Sequence, residues 1–88
     1  MKTIYKYELD VESWQHIDVP INFMFLSVQV QYGRPCMWLL VDPNESGKYR
    51  LDVWTVGTGH PFEYSEDMKF TGTYQLHEGS LVFHVFIR

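Results

Sequence analysis

The residues best suited to chemistry gather in one short segment, Gly57-Thr58-Gly59-His60-Pro61, and in the four histidines His16, His60, His77 and His84. Two glycines one residue apart expose successive backbone N–H groups, which is how a chain builds an anion nest. The segment has neither the G-x-G-x-x-G spacing of a dinucleotide site nor a Walker A lysine. A tight connection that ends on a proline-restricted His60 is the plainer reading of it. Zinc needs three or four convergent ligands, and no histidine pair shows the H-E-x-x-H spacing. His60 can be imagined meeting His77 with Asp67 or Glu78, but nothing in the order of the chain selects that trio. His84 reads as a hydrogen-bonded sheet histidine and His77 as part of a surface turn. Neither a metal nor a cofactor is expected.

The carboxylates are equally ordinary. Glu8 and Asp10 share the wet side of a strand, and Glu63, Glu66 and Asp67 belong to an irregular stretch facing Lys69. A glycosidase would need two carboxylates across a cleft of fixed width. Cys36 stands alone, so neither an intrachain disulfide nor a Cys-based zinc site can form. It sits in an apolar strand with no histidine near it in sequence, and reads as a packing thiol.

Aromatic residues are the larger resource: six Phe, six Tyr and three Trp, 17% of the chain. Trp14, Trp38, Trp54 and Phe86 fall outside the main core parity. With Gln29 and Gln31 beside Trp38, they suggest a protein-binding patch, because Trp and Tyr anchor so many interface hot spots. The candidate binding residues are Trp38, Gln29, Gln31, Trp54, Gly57, Gly59 and His60. Stacked bases are the alternative use of such rings. That use needs a positive groove, and Arg34, Lys48 and Arg50 are the sole loose basic grouping.

The elements that must hold these residues are short strands. Tyr5, Tyr7, Leu9 and Val11 alternate with Lys6, Glu8 and Asp10, the period of a half-buried strand. Trp14 to Val19 reads as a second strand or the return arm of a short hairpin, limited by Pro20. Leu26, Val28, Val30 and Tyr32 alternate with Ser27, Gln29 and Gln31. A turn at Tyr32–Arg34 then returns the chain so that Val28 meets Met37 or Leu39, with Met37, Leu39 and Val41 on the apolar face. Residues 42–47 form a dense turn. Along 49–56, Tyr49, Leu51, Val53 and Thr55 oppose Arg50, Asp52, Trp54 and Val56. Ser65 can cap one helical turn near 65–68, although Met68 spoils the capping box. At the end, Phe70–Leu76 and Leu81–Ile87 form a hairpin with Glu78-Gly79 at its tip, pairing Leu76 with Leu81, Tyr74 with Phe83 and Thr73 with His84. About seven strands of this kind predict an all-β single domain over 1–88, a small antiparallel β-sandwich or partly open barrel.

Length and charge set the outer bounds. The chain has 88 residues, 45% of them hydrophobic, and a net charge of −4. Mass scaling gives a folded surface of about 5,400 Å², with about 64% of the unfolded surface buried, enough for one core. The acidic balance speaks against nucleic acid or an anionic membrane. It is also too modest for a DNA mimic, which needs dense, ordered carboxylates. No apolar run approaches membrane-spanning length, and the start lacks the pattern of a signal peptide. The expected setting is the cytosol.

Four stretches carry a resemblance: KYELDV (6–11), SVQVQYGRPCMWLLVDP (27–43), VGTGHP (56–61) and GTYQLHEGSLVFHVF (72–86). In order and spacing they resemble a family of small uncharacterised proteins of bacteriophages and bacteria. The likeness covers nearly the whole chain, with mild departures at Glu78-Gly79 and at the acidic 63–67 region. It implies a phage or prophage origin and a complete chain, and it transfers no catalytic residues. The expected function is therefore non-enzymatic: binding another protein, such as a host factor, or self-association. A metal- or anion-binding small enzyme centred on 57–61 is the alternative, followed by single-stranded nucleic-acid binding.

Overall fold

Each stretch of period two becomes a strand. In the computed structural model, which describes residues 1–88, β1 spans Thr3–Glu8, β2 Trp14–Pro20, β3 Met24–Gln31, β4 Arg34–Val41, β5 Lys48–Gly57, β6 Lys69–Leu76 and β7 Leu81–Ile87. A short 3-10 turn, His77–Gly79, joins the last two. All neighbours are antiparallel, in one sheet ordered β1-β4-β3 and another ordered β2-β5-β7-β6. The two sheets form an open sandwich, not a closed barrel, because no ladder links β3 to β6 or β1 to β2.

Side chains from both inner faces fill the space between the layers. Met37, Leu39 and Val41 of β4 meet Leu51 and Val53 of β5 and Val85 and Ile87 of β7, with Leu9, Val19, Val28 and Tyr74 completing the core. Burying each large aliphatic side chain of this set contributes about 1.5–3 kcal/mol. The layers come closest where β3 lies over β6: a Cβ built on Gly72 would stand 2.6 Å from Val28 Cγ1. The Cα trace is a slab of 40 × 30 × 16 Å. Its flatness is why the accessible surface, 5874 Å², exceeds the mass-scaled ~5,400 Å².

Three expectations need correction. β1 and β2 are not arms of one hairpin: β1 pairs with β4 and β2 with β5, in different sheets. Leu26 does not share the inner face with Val28, because a bulge between Phe25 and Ser27 turns Leu26 outward and leaves Phe25 opposite Leu39. Residues 65–68 make the expected single turn, closed by the Met68 N–H donating to Ser65 O at 3.0 Å, but Ser65 is not its cap. Ser65 spends its hydroxyl on the Asp67 carboxylate, not on capping.

The two hairpins otherwise follow the pattern, with Val28 opposite Met37 and Leu76, Tyr74 and Thr73 opposite Leu81, Phe83 and His84. Both tips need left-handed backbone: Tyr32 and Gly33 have φ of 52° and 76°, and His77, Glu78 and Gly79 have 52°, 58° and 90°. No helix is long and apolar enough to cross a membrane.

Candidate functional site

The alternation that sends Leu51, Val53 and Thr55 inward turns Arg50, Asp52, Trp54 and Val56 to the outer face of the four-stranded sheet. Register then does something that composition alone does not show. Trp14 lies opposite Trp54, Trp54 opposite Phe86, and Phe86 opposite Phe70. One aromatic row therefore crosses all four strands at right angles to their direction. The bulge between Phe70 and Gly72 is what permits this. It lets Phe70 remain outside while Gly72, two residues later, faces inward opposite Val85.

The connection from β5 to β6 folds back over the same face. Its Phe62 and Tyr64 rings stand 5.0 and 6.1 Å from Phe86, and Phe70 stands 5.4 Å away on the other flank. Much of the row stays open even so, with Phe70 58% and Trp14 45% exposed. Two guanidinium groups lie on the tryptophans: Arg50 Cζ is 5.6 Å from the Trp14 ring and Arg88 Cζ 4.8 Å from Trp54. At exposed sites such contacts contribute about 0.5–1 kcal/mol each. Each has a carboxylate beside it. Asp52 lies 3.8 Å from Arg50 and accepts the Trp14 indole N–H at 3.2 Å, while Asp67 holds Arg88 at 3.1 Å. The Ser65 hydroxyl, and after it the Arg88 guanidinium, hold the Asp67 carboxyl below its ordinary pKa.

The 57–61 loop borders this row. The His60 N–H donates to Gly57 O at 3.1 Å, closing a turn whose third residue, Gly59, has φ of +84°. That conformation suits glycine because it has no Cβ to clash. Gly57 is crowded for a different reason: a Cβ there would stand 3.2 Å from the His60 ring, which would have to shift to admit it. The turn presents the Thr58 hydroxyl to His84 Nε2 at 2.6 Å, and His84 Nδ1 lies 3.0 Å from the Thr73 hydroxyl. The VGTGHP and LVFHVF stretches thus meet through one imidazole. A hydroxyl on an imidazole is the first half of a nucleophile–base arrangement. Here a threonine stands where a carboxylate would orient the base, and the triplet acts as a latch pinning the loop to β7. No group of three His, Cys, Asp or Glu side chains converges to hold a metal. Between the loop and the two tryptophans lies a groove of about 360 Å³, lined by Trp14, Trp54, His60, Pro61, Phe62 and Glu63 among others.

The residues singled out from sequence divide between two faces. Trp54, Gly57, Gly59 and His60 belong to this face and its bordering loop. Trp38, Gln29 and Gln31 lie on the far side of the slab, on the outer face of the three-stranded sheet. There Trp38 lies between Lys6 and Ser27, Gln29 opposite Cys36 and Gln31 opposite Arg34, with the Lys6 ammonium donating to Gln31 Oε1 at 2.9 Å. Arg34, Lys48 and Arg50 do not form one basic group. Arg34 pairs with Glu8 at 3.0 Å on the first sheet, whereas Lys48 and Arg50 belong to the second. Cys36 is buried. Sequence reasoning missed Phe62, Tyr64 and Phe70. The first two sit in an unpatterned loop, and only the bulge reveals the third.

Comparison with curated proteins finds no match, and neither does comparison with solved structures. One family does match, over residues 1–88, under the description "Domain of unknown function (DUF7352)". That span is the whole length of the 88-residue sequence. The chain belongs to the DUF7352 family.

Proposed function

We propose that this protein is a non-enzymatic binding module whose contact surface is the aromatic row Trp14–Trp54–Phe86–Phe70, and that its partner is another protein. The row itself is the observation that carries the reading. Four rings in register on an outer face do nothing for the core between the sheets, yet they are held by a bulge, a folded-back loop and two cation–π contacts. Rows of Trp and Phe flanked by Arg are the residue types that concentrate binding energy at protein interfaces. Nucleic acid is less well served, since both arginines of this face already have carboxylate partners and the chain carries −4 overall.

The resemblance to phage proteins supports a narrower reading, a phage-encoded modulator of a host factor acting in the bacterial cytoplasm. The test is affinity capture from nuclease-treated bacterial lysate, read by quantitative mass spectrometry, with Trp14→Ala, Trp54→Ala and Trp38→Ala proteins checked for folding by circular dichroism. The expected result is one host protein in stoichiometric yield, lost with Trp14 or Trp54 and kept with Trp38. Loss with Trp38 alone would move the contact to the opposite sheet. Capture of nothing across hosts and salt levels would overturn the host-factor reading and put self-association first.

A further inference from the structure

We infer that the groove beside Trp14 and Trp54 receives an arginine side chain of the partner protein. This rests on the aromatic row being the protein contact, and it names the chemistry that would dock there.

The molecule contains its own template for such a site. Twice on this face a guanidinium lies on a tryptophan with a carboxylate beside it: Arg50 on Trp14 with Asp52, and Arg88 on Trp54 with Asp67. The groove repeats two of these three parts. Trp14, Trp54 and Phe62 supply rings, Glu63 supplies a carboxylate, and no lysine or arginine lines it. Glu63 takes part in none of the ion pairs of the structure. A planar guanidinium stacks on aromatic faces and forks onto a carboxylate, which an ammonium does less well. At about 360 Å³ the groove sits near the small end of ligand pockets, ~300–1,000 Å³, a size suited to one long side chain. A stacked nucleotide would bring its phosphate to a lining with no cation of its own, beside two guanidiniums already paired with Asp52 and Asp67. The net charge of −4 favours approach of a basic surface.

The test is a titration of ¹⁵N-labelled protein with N-acetyl-arginine N-methylamide, following the three indole N–H signals, with the citrulline analogue as a neutral isostere. Trp38, on the opposite sheet, is the internal reference. The expected result is a saturable millimolar shift of the Trp14 and Trp54 signals, no shift of Trp38, and no response to citrulline. Glu63→Gln, an exposed position, should weaken binding about fivefold at low salt, the effect of an exposed ion pair near 1 kcal/mol. Absence of a saturable shift, equal shifts with citrulline, or movement of all three indoles would overturn the inference. If it fails while Trp14→Ala and Trp54→Ala still abolish capture, the aromatic row stands as the contact and only the arginine is lost.

Discussion

Gly72 offers the sharpest test of how the two sheets are held together. It lies on the inner face of β6 opposite Val85, and a Cβ there would stand 2.6 Å from Val28 Cγ1 on β3. An ordinary contact needs roughly 1 Å more, and a β-branched side chain has little rotamer freedom to give it. Gly72→Ala should therefore cost about 1–3 kcal/mol, the usual penalty of an extra methyl in a packed core. Val28→Ala removes two methyl groups from a buried side chain, a loss of about 2–3 kcal/mol once the cavity is included. In the double variant the new methyl enters the space that Val28 vacated. Gly72→Ala should then be neutral or stabilise by about 0.5–1 kcal/mol, because alanine gives up less chain entropy than glycine in a strand. The two changes should be non-additive by about 2–3 kcal/mol. Urea denaturation of the four proteins at constant m measures this, and the native chain's expected stability of about 4–13 kcal/mol leaves room for it. Additivity within about 0.5 kcal/mol would refute the close approach of β3 and β6.

Other perturbations address the functional face and the buried hydroxyls. Gly57→Ala should displace the His60 ring, 3.2 Å from the new methyl, and so alter the groove without unfolding the sheet; the His60 ring resonances by NMR report it. Gly59→Asn should be better tolerated than Gly59→Val at φ of +84°, by about 1 kcal/mol in thermal unfolding, since asparagine visits the left-handed region and a β-branched residue does not. Thr55 Oγ1 and Tyr74 OH are buried polar atoms without a hydrogen-bond partner, so Thr55→Val with Tyr74→Phe should be neutral or stabilising by urea melt. Burial raises the Tyr74 phenol's pKa. Its contribution to stability is present below the ordinary tyrosine pKa and lost as pH climbs through the raised value, and Tyr74→Phe should flatten that alkaline loss. The Asp67 carboxyl is shifted the other way. Its contribution is present above the ordinary carboxylate pKa and lost as pH falls through the lowered one, so Asp67→Asn should remove part of the acid-side slope in a pH series of melts.

How much of this was readable in the sequence depends on where the information lies. Period-two alternation is local, and it put Met37, Leu39, Val41, Leu51 and Val53 on apolar faces and Trp38 and Trp54 on the opposite parity, but alternation alone does not say whether that second face is covered. Turn chemistry is also local, and it gave the 77–80 tip and with it the pairing of Thr73 with His84. Which strand lies beside which is not local. The step from β1 to β2 changes sheets, and a chain that crosses between layers has the same alternation as one that turns back on itself. The two bulges, at Leu26 and Thr71, are single-residue slips in β3 and β6, the strands that approach each other at Val28 and Gly72. Each inverts the parity of the strand on its far side, which is why Leu26 was misplaced and Phe70 overlooked.

The candidate site has the same division. Trp14, Trp54 and Phe86 were each visible as aromatics off the core parity, but a row is a property of register between β2, β5, β7 and β6. Of the three ladders in that sheet, only the last hairpin, β6 with β7, joins strands consecutive in sequence. The glutamines that first drew attention to Trp38 lie on the other face of a slab only 16 Å deep in its Cα trace. A shared off-core parity joins two surfaces that point in opposite directions. The Thr58–His84–Thr73 latch makes the complementary case: three residues from separate segments, each ordinary alone, form one contact once β6 and β7 pair. An isolated strand can display one aromatic. Aligning four across a sheet requires the bulge and the strand order at once, and that joint requirement is why the proposed contact rests on the row and not on any one ring.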